Sequence, residues 1–448
     1  MKRNAFIPWA TILFASYVPL WPQEGGVPTE VTVAEAVQIA IATHPDVGKA
    51  RANADILKGR IREVRAQAFP EVNIVSHTTR WRDPSFLNAS GFDQFPPELL
   101  EKLVPVGVNL FDYGITVKQP LYTAGKVGTA LKLASVESEG ALAEIDRAQQ
   151  DLAVAVVRAC YGLMWAERSR GLVVETQDQR KRHLEMARTR FRNGVATEVD
   201  VLRSEVTLAN SAPDLVRADN GIRQARALLN YFLGRPIEFP TRLKGEFEEK
   251  PWDRRDLADL TAEAFRRRPE LSRLRISERS AGVQLDLARA ENRMRVDFNG
   301  SYGISSRLPE NLADAKFARW TFGVNFTLPV FDGFKRSGLV WQATAAERAA
   351  RLEREKTEQQ VRLGLQQGLD ELAAARETVS AARANIQQAE KVLSMTQDNY
   401  KYGAATTLDI VDAQTALSLA RTNLLRGLHD YSVARANLLW TMGLGPWE

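Results

Sequence analysis

The stretch RFRNGVATEVDVL at residues 190–202 occurs a second time, as NYKYGAATTLDIV at residues 399–411. Gly194 in the first stretch corresponds to Gly403 in the second, so the two copies are offset by 209 residues. Similarity at one fixed offset indicates an internal repeat, and a repeat decides the architecture of a whole chain. The rest of the sequence is therefore expected to divide into two related units.

The repeat extends in both directions from these two stretches. Towards the carboxyl end, ARALLNYFLG at 225–234 matches ARANLLWTMG at 434–443 with the same offset of 209 residues. Towards the amino end, HPDV at 44–47 matches RPEL at 268–271, but with an offset of 224 residues. The first copy therefore contains 15 additional residues, and the stretch at 82–105 is the natural place for them.

These correspondences divide the chain into four parts. They are a signal peptide at 1–22, a first repeat at 32–234, a linker rich in Pro and charge at 235–255, and a second repeat at 256–443. Lys2 and Arg3 precede a mostly apolar stretch, which is the layout of a secretory signal peptide. A short buried helix or a single anchor is the alternative, and no A-x-A triplet marks a cleavage site.

The composition limits the class of protein. Hydrophobic residues make up 44% and charged residues 26% of the 448 residues, which is typical of folded domains. The net charge of +5 is small, and basic residues alternate with acidic ones, which argues against nucleic acid as a partner. After the first twenty residues, no apolar run approaches the ~18 residues that a transmembrane helix needs. Insertion into a membrane therefore has to use strands.

Each repeat contains a very long helical pattern. In the first copy, apolar residues at spacings of three and four predict one uninterrupted helix from about Gly125 to Arg192. At 1.5 Å per residue this helix measures about 100 Å, far more than a helix of an ordinary globular protein. A returning helix is predicted from Thr197 to about Leu233. Such lengths predict a coiled coil or a tube of helices.

The predicted strands alternate with a period of two. The apolar series are Phe111, Tyr113, Ile115 and Val117 in the first copy and Trp320, Phe322, Val324 and Phe326 in the second. Two further strands are predicted at 71–81 and 295–304. A transmembrane strand of ~9–11 residues has this pattern when its apolar residues face lipid and its polar residues face water. An amphipathic hairpin lying on a soluble core has the same pattern.

The long helices and the signal peptide favour the membrane strand. Four strands cannot close a barrel, because the smallest closed barrels have about eight. Open edges would expose unpaired backbone groups to lipid. The chain is therefore expected to assemble with other copies, and three chains would supply twelve strands.

Several motifs together resemble those of the TolC-like outer membrane efflux proteins. They are A-F-P at 68–70, Q-P-L-Y at 119–122, L-P-V-F at 328–331, F-x-x-G-x-x-T-x-x-D at 191–200, Y-x-x-G-x-x-T-x-x-D at 400–409 and L-G at 233–234. The resemblance implies a mixed α + β membrane protein made mostly of long helices, which form a trimeric α-helical barrel. It also implies a transmembrane β-barrel with four strands per subunit and twelve in the trimer.

The resemblance also implies a function and partners. The chain is expected to be a homotrimeric outer-membrane channel of a Gram-negative cell, extending into the periplasm and serving efflux or type I secretion as a passive, gated duct. Its partners are then outer-membrane lipid, a periplasmic adaptor (membrane fusion) protein and an inner-membrane transporter of the RND, ABC or MFS type. A periplasmic coiled-coil scaffold and a self-sufficient porin with many more strands per chain are the alternatives.

Three residues near the second turn are candidates for a pore gate. In the resembling family, two acids with the spacing of Asp409 and Asp412 ring the closed pore and favour cations, and Tyr400 is retained here. The basic residue that locks the gate in that family corresponds to Ala405. Asp409 has a structural alternative as a cap of the returning helix. Asp412, whose counterpart is Arg203, could instead belong to a solvated helix face.

The turns between the helices are candidates for partner docking. They comprise Gly194, Val195, Ala196 and Thr197 in the first copy and Gly403, Ala404, Ala405 and Thr406 in the second. A left-handed Gly suits a plain helix-to-helix turn, and the resemblance adds a docking role for the adaptor's helical hairpin. Thr197 and Thr406 are expected to cap the returning helices, each with an Asp three residues later.

No group of residues predicts catalysis, a cofactor or a metal site. The four histidines are His44, His77, His183 and His429. No two of them have the spacing of metal ligands, and Cys160 is the single cysteine, expected to be a packed small hydrophobe. Neither a phosphate loop nor a nucleophile elbow is present.

Overall fold

The computed structural model describes residues 29–82, 96, 98, 108–247, 249–252 and 256–446. The predicted signal peptide at 1–22 and nearly all of the predicted insertion at 82–105 lie outside the described residues. None of the helices in the described ranges is both long enough and apolar enough to cross a membrane.

The described parts of the chain contain nine α-helices and six strands. The helices are α1 (Val33–Thr43), α2 (Pro45–Ala66), α3 (Lys126–Arg192), α4 (Glu198–Ala209), α5 (Ala212–Phe232), α6 (Leu257–Arg267), α7 (Pro269–Ala290), α8 (Lys335–Lys401) and α9 (Thr407–Thr441). The strands are β1 (Glu30–Val31), β2 (Glu71–Trp81), β3 (Val108–Tyr122), β4 (Arg242–Leu243), β5 (Arg295–Ser306) and β6 (Ala318–Thr327). The same order of elements thus occurs twice: two helices, two strands, one very long helix and a helical segment that returns towards the sheet.

The two long helices, α3 and α8, each contain 67 residues and are therefore about 100 Å long. The predicted limits of the first, Gly125 and Arg192, are confirmed to within one residue. Its buried side chains include Leu152, Val156 and Leu163, which share one face of the helix. Cys160 is fully buried beside them, and burial raises the pKa of its thiol to about 12.

Each copy has its own hydrophobic core where the shorter helices cross a long one. In the first, Val37 of α1 and Leu229 of α5 belong to the same buried cluster as α3. In the second, Leu260 of α6 and Leu438 of α9 pack with Leu365 of α8. The middle of α3 is thus packed against α1 and α5, with Ala436 of α9 in the same cluster, and the middle of α8 is packed against α6 and α9.

The prediction of one returning helix in the first copy is wrong. The segment forms two helices, α4 and α5, with Asn210 and Ser211 between them. Pro213 lies in the first turn of α5, and a proline lacks the N–H that a continuous helix would use and clashes with the preceding turn. The second copy has Thr422 at this position, and α9 continues without a break.

Strands from both copies form one antiparallel sheet in the order β2–β3–β5–β6. The pairing places Ile74, Ile115, Tyr302 and Trp320 in one row across it. Because alternate residues of a strand share a face, all eight residues predicted to face lipid lie on the same side as this row. These eight are Phe111, Tyr113, Ile115, Val117, Trp320, Phe322, Val324 and Phe326. That this side meets lipid stays a prediction.

The two copies meet in the sheet at a pair of glycines. Gly114 of β3 is directly opposite Gly303 of β5, on the polar side of the sheet. A Cβ atom on Gly114 would lie 2.5 Å from the carbonyl oxygen of Tyr302, so no larger residue fits without separating the strands. The close approach of the two copies therefore depends on these glycines.

Candidate functional site

The two predicted turns have the same backbone geometry. Gly194 has φ of 76° and Gly403 has φ of 81°, so the predicted left-handed glycines are confirmed. In the first turn the amide of Val195 donates to the carbonyl of Arg190 over 3.0 Å, and in the second the amide of Ala404 donates to that of Asn399 over 2.8 Å. These bonds satisfy the last carbonyls of the long helices and set the direction of the returning ones.

Both returning helices begin with the predicted capping box. Asp200 Oδ2 accepts hydrogen bonds from the Thr197 amide (3.0 Å) and hydroxyl (2.8 Å). Asp409 Oδ2 accepts the same bonds from Thr406, at 2.7 and 2.8 Å. The threonine amides, followed by the hydroxyls, lower the pKa of both carboxyls. Asp409 therefore has a structural role as a helix cap. Its Oδ2 atom is occupied by the capping bonds, and only Oδ1 is left to bind a cation.

The second acid of the predicted pair is placed differently. Asp412 lies one turn further along α9 and is exposed, and its carboxylate forms no hydrogen bond or ion pair with any residue in the described ranges. The two carboxylates stand three residues apart, so they occupy neighbouring positions on the helix surface. Their predicted place in a pore constriction depends on other copies of the chain and stays a prediction.

Tyr400, the third predicted gate residue, lies inside the subunit and is 3% exposed. Its hydroxyl is 3.3 Å from that of Thr407, and its ring lies 5.7 Å from the ring of His183. The guanidinium of Arg190 lies 4.4 Å from the Tyr400 ring centre and donates to the carbonyls of Tyr400 (2.6 Å) and Lys401 (3.3 Å). Tyr400 thus joins the tip of the second copy to the tip of the first.

His183 and Arg190 are functional candidates that sequence reasoning missed. Both are in α3, yet each contacts Tyr400 of the other copy across more than two hundred residues of sequence. Neither ring nitrogen of His183 has a hydrogen-bond partner among the described residues. Burial lowers the His183 pKa, and the negative charge of Asp200 acts in the opposite direction more weakly. No local pattern marks these residues, because the signal is a contact between the repeats.

Acidification is expected to weaken the packing of these tips. An unfolded histidine titrates near pH 6.5, and folding lowers the His183 pKa, so its contribution to stability is complete above about pH 6.5. This contribution is lost as the pH falls from about 6.5 towards the lowered pKa. For each chain, the free energy of unfolding decreases by at most about 1.4 kcal/mol per pH unit. Hydrogen exchange of amides 399–411, corrected for intrinsic rates, should show this loss of protection.

His183→Gln should abolish the pH dependence, because glutamine stays neutral. His429→Gln is the matched control, since His429 lies away from the tips, beside Asp430, and its loss should leave the dependence unchanged. An equal decline in protection in the wild type and in His183→Gln would exclude His183 as the cause.

The tips also carry apolar surface. A groove between α4 and the start of α9 is lined by Val199, Leu202 and Val206 on one side and by Leu408 and Val411 on the other. In the predicted docking turns, Val195 and Ala404 are exposed, whereas Ala196 and Ala405 are half-buried. Within the described ranges, no group of three or more His, Cys, Asp or Glu residues is placed to hold a metal ion.

Comparison with known proteins identifies the family. The family described as outer membrane efflux protein matches this chain over residues 36–235 and 260–444, most of its length. The chain belongs to the outer membrane efflux protein family.

Individual relatives are distant. Nodulation protein T of Rhizobium leguminosarum bv. trifolii is 22% identical over 311 residues, which are 68% of this chain and 66% of that protein. Outer membrane protein OprJ of Pseudomonas aeruginosa is 24% identical over 92% of this chain and 84% of its own. The Campylobacter jejuni CmeC outer membrane channel superposes with a TM-score of 0.80 at 15% identity, over 98% of this chain and 94% of that one. At this identity the likeness to the solved structure shows the fold alone.

Proposed function

We propose that the chain is one subunit of an outer-membrane channel for efflux or secretion, a passive trimeric duct through the outer membrane and periplasm of a Gram-negative cell. The observation that carries this proposal is one four-stranded sheet with an apolar face, joined to two helices of 67 residues each. A sheet of this kind suits a bilayer, and helices about 100 Å long suit the space beneath it.

The sheet supports the trimer. β2 and β6 each pair with one strand only among those described, so both edges of the sheet have free backbone groups. Free edges are not viable in lipid, and pairing β6 of one copy with β2 of the next removes them. Three copies give twelve strands, the number that the family resemblance implies.

The surface of the helix tips supports the proposal that partner proteins dock there. The apolar groove beside Leu202 and Leu408 has the shape and chemistry to receive an apolar helix face. In our proposal a helical hairpin of a periplasmic adaptor docks there, and an inner-membrane transporter of the RND, ABC or MFS type completes the assembly. Asp409, Asp412 and Tyr400 then control the periplasmic entrance.

Native mass measurement of the detergent-solubilised protein tests the assembly. We expect the chain in the outer-membrane fraction and a mass of three chains, with ion conductance after reconstitution into a planar bilayer. Recovery in the soluble periplasmic fraction would favour the coiled-coil scaffold instead. A stable monomer in detergent would contradict the channel, because four strands with free edges cannot close.

A further inference from the structure

The two returning helices pack differently against their long helices near the tips. In the second copy, α8 and α9 share a buried apolar cluster, which comprises Ala389, Leu393, Ala413, Leu417 and Ala420. At the offset of 209 residues, three of these five positions are polar in the first copy, with Arg180, Ser204 and Ser211 in place of the three alanines. The contact between α3 and α4 therefore lacks the apolar character of the contact between α8 and α9.

The two serines are buried, and their hydroxyl groups bond to the backbone of their own segment. Ser204 Oγ donates to the carbonyl of Asp200 over 2.8 Å, and Ser211 Oγ donates to the carbonyl of Leu208 over 2.5 Å. A serine hydroxyl bonded to the preceding turn slightly destabilises a helix and often bends it. The hydroxyls are thus satisfied, but they add no apolar area to the contact with α3.

The backbone of the returning segment is interrupted at the end of this polar contact. The Ser211 amide donates to the carbonyl of Leu208, three residues back instead of the four of an α-helix. Pro213, two residues further, has no amide hydrogen to donate. The second copy has Thr422 in place of Pro213, and α9 continues across this level. A break that could act as a hinge, at Asn210 and Ser211, is therefore specific to the first copy.

The short helix α4 makes few buried contacts with the rest of the subunit. Ser204 is the one buried residue among its 12, and its large apolar side chains are more than half exposed, namely Val199, Leu202 and Val206. An ion pair between Arg188 and Glu205, 2.8 Å long, joins α4 to α3, and both of its side chains are nearly half exposed. An exposed ion pair contributes little to stability. Few buried contacts are typical of a segment that opens locally while the rest of the protein stays folded.

We propose that α4 is a mobile element, hinged at Asn210 and Ser211, and that its movement relative to α9 changes the width of the periplasmic entrance. α9 stays packed on α8 through the apolar cluster, so the second copy provides the fixed side. The groove between these helices has Leu202 of α4 on one wall and Leu408 of α9 on the other. A partner helix docked in the groove therefore selects one position of α4, which couples docking to the width of the entrance. This inference rests on the proposed function and names the moving part of the entrance.

Hydrogen exchange of the full-length protein in detergent tests the hinge. Amides 202–209 of α4 are compared with the corresponding amides 411–418 of α9, after correction for intrinsic rates. The repair variant carries the second copy's residues in the first, as Arg180→Ala, Ser204→Ala, Ser211→Ala and Pro213→Thr. We expect α4 to exchange several-fold faster than α9 in the wild type, and the repair variant to lose most of this difference. Equal exchange of the two segments in the wild type would overturn the hinge.

Single-channel current in planar bilayers relates the hinge to the entrance. We expect the repair variant to spend several-fold less time at the high-conductance levels than the wild type. Asn220→Ala/Arg223→Ala, which removes an exposed contact of α5 beyond the break, is the control and should change neither the exchange nor the current. Unchanged occupancy of the high-conductance levels in a repair variant with slowed exchange would overturn the role of α4 at the entrance. If the wild type carries no current, the proposed channel itself fails, whatever the exchange rates are.

Discussion

Val324→Arg is expected to prevent stable insertion of the chain into the outer membrane, whereas Asn325→Arg, one residue further, is expected to insert normally. Val324 pairs with Phe298 on the apolar side of the sheet. An arginine on a lipid face costs about 2–4 kcal/mol near the bilayer midplane, and the proposed trimer would carry that cost three times. Val324 tests the lipid face more directly than Phe322. Phe322 stacks on Phe298 and Trp320, so replacing Phe322 would also remove ring contacts.

Asn325 is the matched control on the opposite side of the same strand. It pairs with Asp297, whose carboxylate can receive the new guanidinium. The measurement is the amount of protein that remains in outer membranes after washing with urea, together with bilayer conductance. We expect Asn325→Arg to alter conductance without loss of inserted protein. Equal loss for both variants would mean that the two sides of the sheet are not divided between lipid and water.

Removing both acids of the second tip is expected to abolish block of the channel by trivalent cations. Three copies bring six carboxylates from Asp409 and Asp412 into one constriction, if this side of α9 lines the bore, and a ring of carboxylates binds cations. The low pKa of Asp409 keeps its carboxylate charged at mildly acid pH, so its part of the block is lost only as the pH falls through that lowered value. Single-channel current with lanthanum added from the periplasmic side measures the block.

The two copies supply a control that separates block from capping. Asp200 has the same capping contacts as Asp409, but its copy has Arg203 where the second copy has Asp412. Asp200→Ala should therefore loosen a helix start and leave the block intact. Asp412→Ala should weaken the block and leave both capping boxes intact. It is therefore the single variant that best separates loss of cation binding from loss of a helix cap. Unchanged block in Asp409→Ala/Asp412→Ala would mean that the acids face away from the bore.

Local sequence patterns predicted the elements of this fold well. Period-two alternation located the strands, and the Thr–Asp spacing located both capping boxes, because these signals depend on neighbouring residues. The break before Pro213 also has a local signal, which is the proline itself. The apolar spacing on both sides of it is helical, and that spacing predicted one continuous helix. β1 and β4 could not be found in this way, since two residues per strand are too few to define a period.

The site was less predictable than the fold because its decisive contacts join the two repeats. Burial of Tyr400 depends on His183 and Arg190, which belong to the other copy and follow no motif. Which side of α9 lines a bore depends on neighbouring subunits, so one chain's sequence specifies the position of Asp412 on the helix and nothing further.

The equal length of α3 and α8, at 67 residues each, makes the pair a molecular ruler. Each helix spans the same distance from the sheet to its tip. A change of length in one helix alone would therefore place the two tips at different levels. One deleted residue would shorten a helix by about 1.5 Å and rotate everything beyond by about 100°. Matched changes of 7 or 11 residues leave the facing surfaces rotated by only about 20°, and matched changes of about 18 residues, five full turns and about 27 Å, restore them fully. Evolution can therefore adjust the reach of this protein in large paired steps, not gradually.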